Sequence, residues 1–210
     1  MLDRIGPSLN WVKIGLQLYL RHGNPLIEAV ARRGYRIFLD LKLHDIPNTV
    51  ASAINSLADL PCHMLTLHAA GGAEMMERAG EAARACRPDW QLLAVTVLTS
   101  MNATQLQSIG VSASPEEQVL QLAALARSSG LNGLVCSPLE ITPIHQQHGN
   151  ALTLVTPGIR PANSDTDEQK RIMTPREAVD AGARFLVIGR PILKAADPVA
   201  VIHSIQTEIA

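Results

Sequence analysis

Aromatic side chains are scarce in this chain: two Trp, two Tyr and two Phe make up 3% of the residues, while 47% are hydrophobic. A core of this composition has to be aliphatic, built from Leu, Ile, Val and Ala. Cysteine is equally sparse. Cys62, Cys86 and Cys136 are odd in number, widely spaced and without a CxxC pair, which argues against a disulfide framework and for buried thiols in a reducing compartment. Neither sign of charge dominates. The 18 Lys and Arg face 19 Asp and Glu, a net charge of −1. The balance argues against a general nucleic-acid-binding surface, which needs a basic excess, and says nothing against one local anion pocket. No apolar run is long enough to span a bilayer, and the N-terminal MLDRIGPSLNW lacks the apolar middle of a secretory signal. The expectation is a cytoplasmic protein with no membrane contact. GxSxG, Walker and GxGxxG motifs are absent. His145 and His148 lie three apart on a surface-like helix, and His22, His63 and His203 are scattered, so no metal site is expected.

What is present is a rhythm. Short aliphatic runs alternate with longer amphipathic, Ala-rich segments. Strands are expected at 11–14, 37–41, 64–68, 92–98, 134–136, 152–156 and 185–188. Helices are expected at 25–33, 49–59, 73–86, 115–128, 139–147, 175–181 and 198–209. Seven βα units in a row, with no linker or composition shift, mean one domain with a parallel sheet covered by helices. A doubly wound sheet and a (β/α)8 barrel both fit. The polar and glycine-rich pieces DLKLHD, HAAGGA, TSMN, TPGIRP and IGRPI all follow strands, which favours the barrel, whose chemistry sits at the strand C-termini. Barrels typically run to about 250 residues, so this chain of 210 is short. The opening LDRIGPSLN resembles the end of a helix lacking its preceding strand, which makes the first unit the missing one.

The densest chemical signal is FLDLKLHDIPNTV between Phe38 and Val50. Strand alternation puts Asp40 and Lys42 on one side, while Asp45, Pro47 and Asn48 signal a turn into the next helix. Charges in an apolar strand cost free energy unless they are paired or have a task. A structural ion pair and a catalytic one both satisfy that condition. Lys13 in WVKIG is a second embedded charge, and with Asp40, Lys42 and Asp45 it completes an alternating lysine–carboxylate array. His44 and His68, near strand ends, read as packing or supporting residues. Late in the chain, Thr156-Pro157-Gly158-Ile159-Arg160-Pro161 and Ile188-Gly189-Arg190-Pro191 follow consecutive strands. Gly189 permits close backbone approach, and Arg160 and Arg190 offer forks for phosphate oxygens. The polar stretch 162–171 between them reads either as plain disordered surface or, from its position, as a lid carrying Gln169. Thr99 and Ser100 offer hydroxyls and amides to a planar heterocycle, or cap the next segment.

Taken together, DLKLHDIPNT, TVLTSM, VTPGIRP with QKRIMTP, and VIGRPI resemble the orotidine 5′-phosphate decarboxylases of bacterial type, from about Lys13 to the C-terminus. The resemblance implies a homodimeric (β/α)8 barrel that converts orotidine 5′-monophosphate to UMP without cofactor or metal. Carried over by position, Lys42 is the proton donor, and Lys13, Asp40 and Asp45 complete the charged set. Asp45, Ile46 and Thr49 would reach into the partner subunit's site. Thr99 and Ser100 would lie at the pyrimidine, Pro157 would be among the substrate contacts, and Arg160, Gln169, Gly189 and Arg190 would hold the phosphate. The family begins with a strand ending in an LD pair whose aspartate binds the ribose. This chain starts after it, Asp3 does not substitute, and a misassigned start codon is the preferred reading over a true truncation. Two other functions fit the residues: a Mg-dependent sugar-phosphate decarboxylase or lyase on the same DxKxxD scaffold, and a non-catalytic nucleotide-binding barrel.

Overall fold

The computed structural model describes residues 1–161 and 172–210. Its strands are β1 (Trp11–Gly15), β2 (Arg36–Leu43), β3 (Met64–His68), β4 (Gln91–Val95), β5 (Gly133–Val135), β6 (Thr153–Pro157) and β7 (Phe185–Val187). They are neighbours in chain order, β1 through β7. The pairs β1–β2, β2–β3, β3–β4 and β6–β7 run parallel. A doubly wound sheet reverses its strand order at a switch point. An unbroken sequential order is that of the (β/α) barrel, so the barrel is the expected architecture that the strands follow.

The helices are α1 (Leu2–Ile5), α2 (Leu16–Ala31), α3 (Pro47–Ser56), α4 (Ala73–Cys86), α5 (Ala103–Ser108), α6 (Pro115–Ser128), α7 (Ile141–His148), α8 (Pro175–Asp180), α9 (Arg190–Leu193) and α10 (Pro198–Ile209). Proline opens α3, α8 and α10, where its missing N–H costs nothing. Asn102 with Gln105 and Thr174 with Glu177 form reciprocal capping boxes at α5 and α8.

The chain packs as two compact units. One comprises Asn10–Thr96 and Leu122–Leu134 and holds β1 to β4 with α2 to α4. Its interior is aliphatic, as the composition requires: Ile14, Ile37, Leu39, Leu65, Leu67 and Leu93 from the strands, and Ile27, Ile54, Met75 and Met76 from the helices. The other comprises Met1–Leu9, Val97–Gln121 and Val135–Ala210. In it Ile5, Ile192, Ile202 and Ile205 cluster with Leu2, Leu9, Ile188 and Val201. Arg4 Nη2 donates to the Ala196 carbonyl and Gln206 Nε2 to the Ser8 carbonyl, each at 2.8 Å, which ties the N-terminal segment to the last helix and to the residues just before it.

Several elements depart from expectation. Helix α2 begins at Leu16 rather than Pro25 and breaks at Gly23 (φ 60, ψ −154), a left-handed position that glycine takes at little steric cost. Pro25 follows the break, so only the second helical segment matched the expected start. Strand β4 stops at Val95, three residues early, and the chain then closes a turn in which Met101 N–H donates to the Leu98 carbonyl. Helices α5 and α9 were not anticipated. Among the described residues no helix is long and apolar enough to cross a membrane. The three cysteines are free thiols; Cys62 and Cys136 are buried, and burial pushes the Cys62 thiol up to about 12, which keeps it unreactive.

Where β1, β2 and β3 begin, Arg36 lies over the Trp11 ring at 4.4 Å, and the His63 ring meets Trp11 edge-on at 5.8 Å. His63 Nδ1 accepts the Ile37 N–H at 3.2 Å, a bond that requires the unprotonated nitrogen. Burial, followed by the Arg36 charge, lowers the His63 pKa below its ordinary 6.5. The unfolded chain therefore takes up this proton first, so stability is full above about pH 6.5 and declines as pH falls through the lower folded value. Between pH 7.5 and 5, denaturant unfolding of the wild type is expected to lose about 1 kcal/mol more than His63→Leu, the scale of one hydrogen bond. Equal losses in both proteins would remove His63 from the account.

Candidate active site

Three charged side chains meet at the ends of β1 and β2. Lys13 Nζ donates to Asp40 Oδ2 at 2.9 Å, and Lys42 Nζ donates to Asp40 Oδ1 at 2.7 Å. Asp40 is buried, at 7% exposure, while the two lysine side chains are about one-third exposed, at 34% and 30%. Burial alone would raise the Asp40 carboxyl. The Lys13 charge and the hydrogen bond and charge of Lys42 outweigh it and hold the pKa below its ordinary value. A carboxylate held between two ammonium groups stays ionised.

Alternation along β2 does not by itself produce this arrangement. Leu39 pairs with Leu65 and Leu43 with Leu67, so β2 takes four residue steps where β3 takes two. The surplus is a bulge, and Lys42 sits in it with φ 52. It is the one non-glycine residue with positive φ among the described residues. A left-handed backbone costs an L-residue roughly 1–2 kcal/mol, and such strain concentrates at functional positions.

Thr66 was not singled out in the sequence and belongs to this cluster. Lys42 N–H donates to Thr66 Oγ1 at 2.9 Å, and that hydroxyl donates to Asp40 Oδ1 at 3.0 Å. The available signal was its position as the one hydroxyl among the aliphatic residues of MLTLH. At the same strand ends, the His44 and His68 rings lie 5.3 Å apart. Burial, then the charges of His44 and Lys42, lower the His68 pKa, so the neutral imidazole is favoured beside Lys42. Gly15 ends β1 two residues beyond Lys13, and a Cβ there would stand 3.2 Å from Lys13 Nζ. Its lack of a side chain leaves the ammonium its position.

Asp45 does not join the array. Its Oδ1 accepts the Ile46 N–H at 2.7 Å, and Asp45, Ile46 and Thr49 are all exposed, Ile46 at 67%. The expected four-member set is thus three within the chain, Lys13, Asp40 and Lys42, with the fourth carboxylate facing outward.

The remaining candidates belong to the other unit. Thr99 and Ser100 form the turn after β4, half-buried and exposed respectively, and neither caps a helix; Asn102 does that. Pro157 ends β6. Beyond it Arg160 is buried, its Nη1 donating to the Ile159 carbonyl at 2.8 Å, and its backbone N–H donates to the Met173 carbonyl at 2.9 Å. Gly189 caps α9 with its carbonyl, and Arg190 is the first residue of that helix. A Cβ at Gly189 would meet nothing within 4 Å, which leaves its backbone open to an incoming group. Gln169 and the expected lid lie outside the described residues. Among the described residues, no three His, Cys, Asp or Glu side chains are grouped to hold a metal ion.

Comparison with known proteins adds a second line of argument. Residues 1–205 match the sequence profile of the Orotidine 5'-phosphate decarboxylase / HUMPS family. A curated relative from Opitutus terrae, named orotidine 5'-phosphate decarboxylase, is 54% identical over 209 residues, covering 100% of this chain and 91% of its own length. One of the same name from Actinobacillus pleuropneumoniae is 49% identical, covering 99% and 91%. Among solved structures, orotidine 5'-phosphate decarboxylase from Lactobacillus acidophilus superposes with a TM-score of 0.87 at 39% identity, covering 99% of this chain and 91% of that one. The Thermotoga maritima protein of that name gives 0.75 at 28% identity, covering 98% and 91%.

Proposed function

Because the chain belongs to the orotidine 5'-phosphate decarboxylase / HUMPS family, we propose that it converts orotidine 5′-monophosphate to UMP, the last step of de novo pyrimidine synthesis. The observation that carries the reading is the buried Asp40 carboxylate gripped by the ammonium groups of Lys13 and Lys42, the second on a strained backbone. The names borne by the relatives support this substrate over a sugar phosphate on the same scaffold.

The chemistry follows from charge placement. When the bond between C6 and the carboxylate breaks, CO2 departs and the electron pair stays on C6. That carbanion has no adjacent electron sink, so a cation must be supplied where the charge develops. The Lys42 ammonium does this and then gives C6 its proton, and the neutral amine recovers a proton from solvent. No cofactor enters this sequence. Asp40 keeps the Lys42 ammonium aimed, and repels the substrate carboxylate more than the product. Lys13 neutralises Asp40 from its other side.

Binding is assigned to the second set of residues. Arg160, Gln169, Gly189 and Arg190 hold the phosphate, while Thr99, Ser100 and Pro157 contact the pyrimidine. The outward Asp45, Ile46 and Thr49 serve the site of a second copy in a homodimer. Phosphate contacts are remote from the breaking bond, and their binding energy is spent on holding the substrate in place. Arg190→Ala is expected to raise the KM for orotidine 5′-monophosphate by about 10- to 100-fold, the scale of one charge-assisted hydrogen-bond pair. Steady-state kinetics check this, and an unchanged KM would remove Arg190 from the phosphate.

A further inference from the structure

We propose that Thr66 is a positioning residue for the Lys42–Asp40 pair, acting through both of its hydrogen bonds at once. The inference rests on the decarboxylase reading and deepens it. Directionality carries the argument. A backbone N–H can only donate, so at Lys42 N the Thr66 oxygen must accept. An ionised carboxylate can only accept, so the hydroxyl proton is committed to Asp40 Oδ1. That same oxygen takes the Lys42 ammonium. The result is a closed ring: Lys42 N–H to Thr66, Thr66 to Asp40, and Asp40 back to the Lys42 side chain.

Each bond has a separate consequence. The left-handed backbone at Lys42 breaks the regular β2–β3 ladder, and the N–H that would otherwise be stranded there is satisfied by Thr66. The second bond fixes which way the Asp40 carboxylate faces, and with it the line along which the Lys42 ammonium is held. Thr66 is 0% exposed, so water does not reach the position to replace the hydroxyl. Its β-branched side chain is stiff at χ1, which keeps both bonds in one geometry.

The test is a graded series read by kcat, KM and the hydrogen exchange of the Lys42 amide. Thr66→Val keeps shape and strand preference but removes the hydroxyl. It is expected to lower kcat about 10- to 100-fold, change KM less than about threefold, and speed exchange at the Lys42 amide. Thr66→Ser restores the hydroxyl and should recover most of kcat and of the protection. A purely structural role would instead show the methyl-deleting Ser variant as impaired as Val. If Thr66→Val does not fold, Ser and Cys carry the test, because they are similar in size and differ in hydrogen-bonding strength; kcat for Ser is expected at least about fivefold above Cys. A folded Val variant within twofold of wild-type kcat, or Ser no better than Val or Cys, overturns the proposal. Absence of turnover in the unaltered chain would count against the decarboxylase reading instead. The Lys42 amide would still test the ring by itself: protection lost in Val supports it, and protection unchanged refutes it.

Discussion

Lys42→Ala is expected to abolish decarboxylation while leaving UMP binding measurable. In the proposed mechanism the substitution removes both the cation at the developing carbanion and the proton it receives. General acid catalysis contributes about 10²–10⁴-fold, and a preorganised charge about 10²–10³-fold. Losing both should cost at least ~10⁴ in kcat. The backbone offers an internal control. Lys42 sits at φ 52, where alanine is strained and glycine is not. Lys42→Gly should therefore be equally inactive but more stable than Lys42→Ala by about 1 kcal/mol in denaturant unfolding. Alanine and glycine of equal stability would contradict the left-handed geometry, and residual turnover within about tenfold of wild type would displace Lys42 as proton donor.

Asp40→Asn is expected to damage both stability and rate. It leaves the Lys13 and Lys42 ammonium groups facing a neutral amide, one of whose ends is itself a donor. Removing one partner of a fully buried ion pair costs about 3–5 kcal/mol. Here the lysines keep about a third of their side chains in water, so about 2 kcal/mol is the expected loss. Activity should fall at least ~10²-fold, since the ammonium of Lys42 is no longer aimed. The acid limb of stability should change with it. The Asp40 pKa in the fold lies below its ordinary 3.8, so its contribution is fully present above that value and is lost as pH falls through the lower folded one. Unfolding of wild type and Asp40→Asn should therefore differ most at neutral pH and converge below about pH 4. A gap that does not narrow at all as pH falls below about 4 would assign the loss to packing rather than charge.

The residues legible in the sequence are those that break a pattern. Lys13, Asp40 and Lys42 interrupt apolar strands, and the structure joins all three. Their route to one another was not legible, because alternation has period two and carries no trace of a bulge that adds residues to β2. Thr66 escaped notice for the opposite reason: threonine is at home in a strand, so its lone hydroxyl in MLTLH is too weak a signal to mark a polar group with two partners. Asp45 read from its spacing alone as part of the array and only through the family resemblance as reaching outward, since orientation beyond the strand end depends on the turn into α3. The rhythm of strands and helices was readable because aliphatic runs and proline-opened helices are local signals. The first half of α2 was not legible because Leu16-Gln-Leu-Tyr-Leu alternates like a strand, whereas the structure makes it helical with Leu16, Leu18 and Leu20 exposed.

The measurement that bears most directly on the whole account is the fall in orotidine 5′-monophosphate absorbance with the 210-residue chain, in the presence of EDTA. Turnover that persists with EDTA is the predicted result, since the proposed mechanism has Lys42 supply both the charge and the proton. Turnover lost on chelation and restored by Mg2+ would contradict the cofactor-free mechanism. No turnover of this substrate under either condition would contradict the function itself.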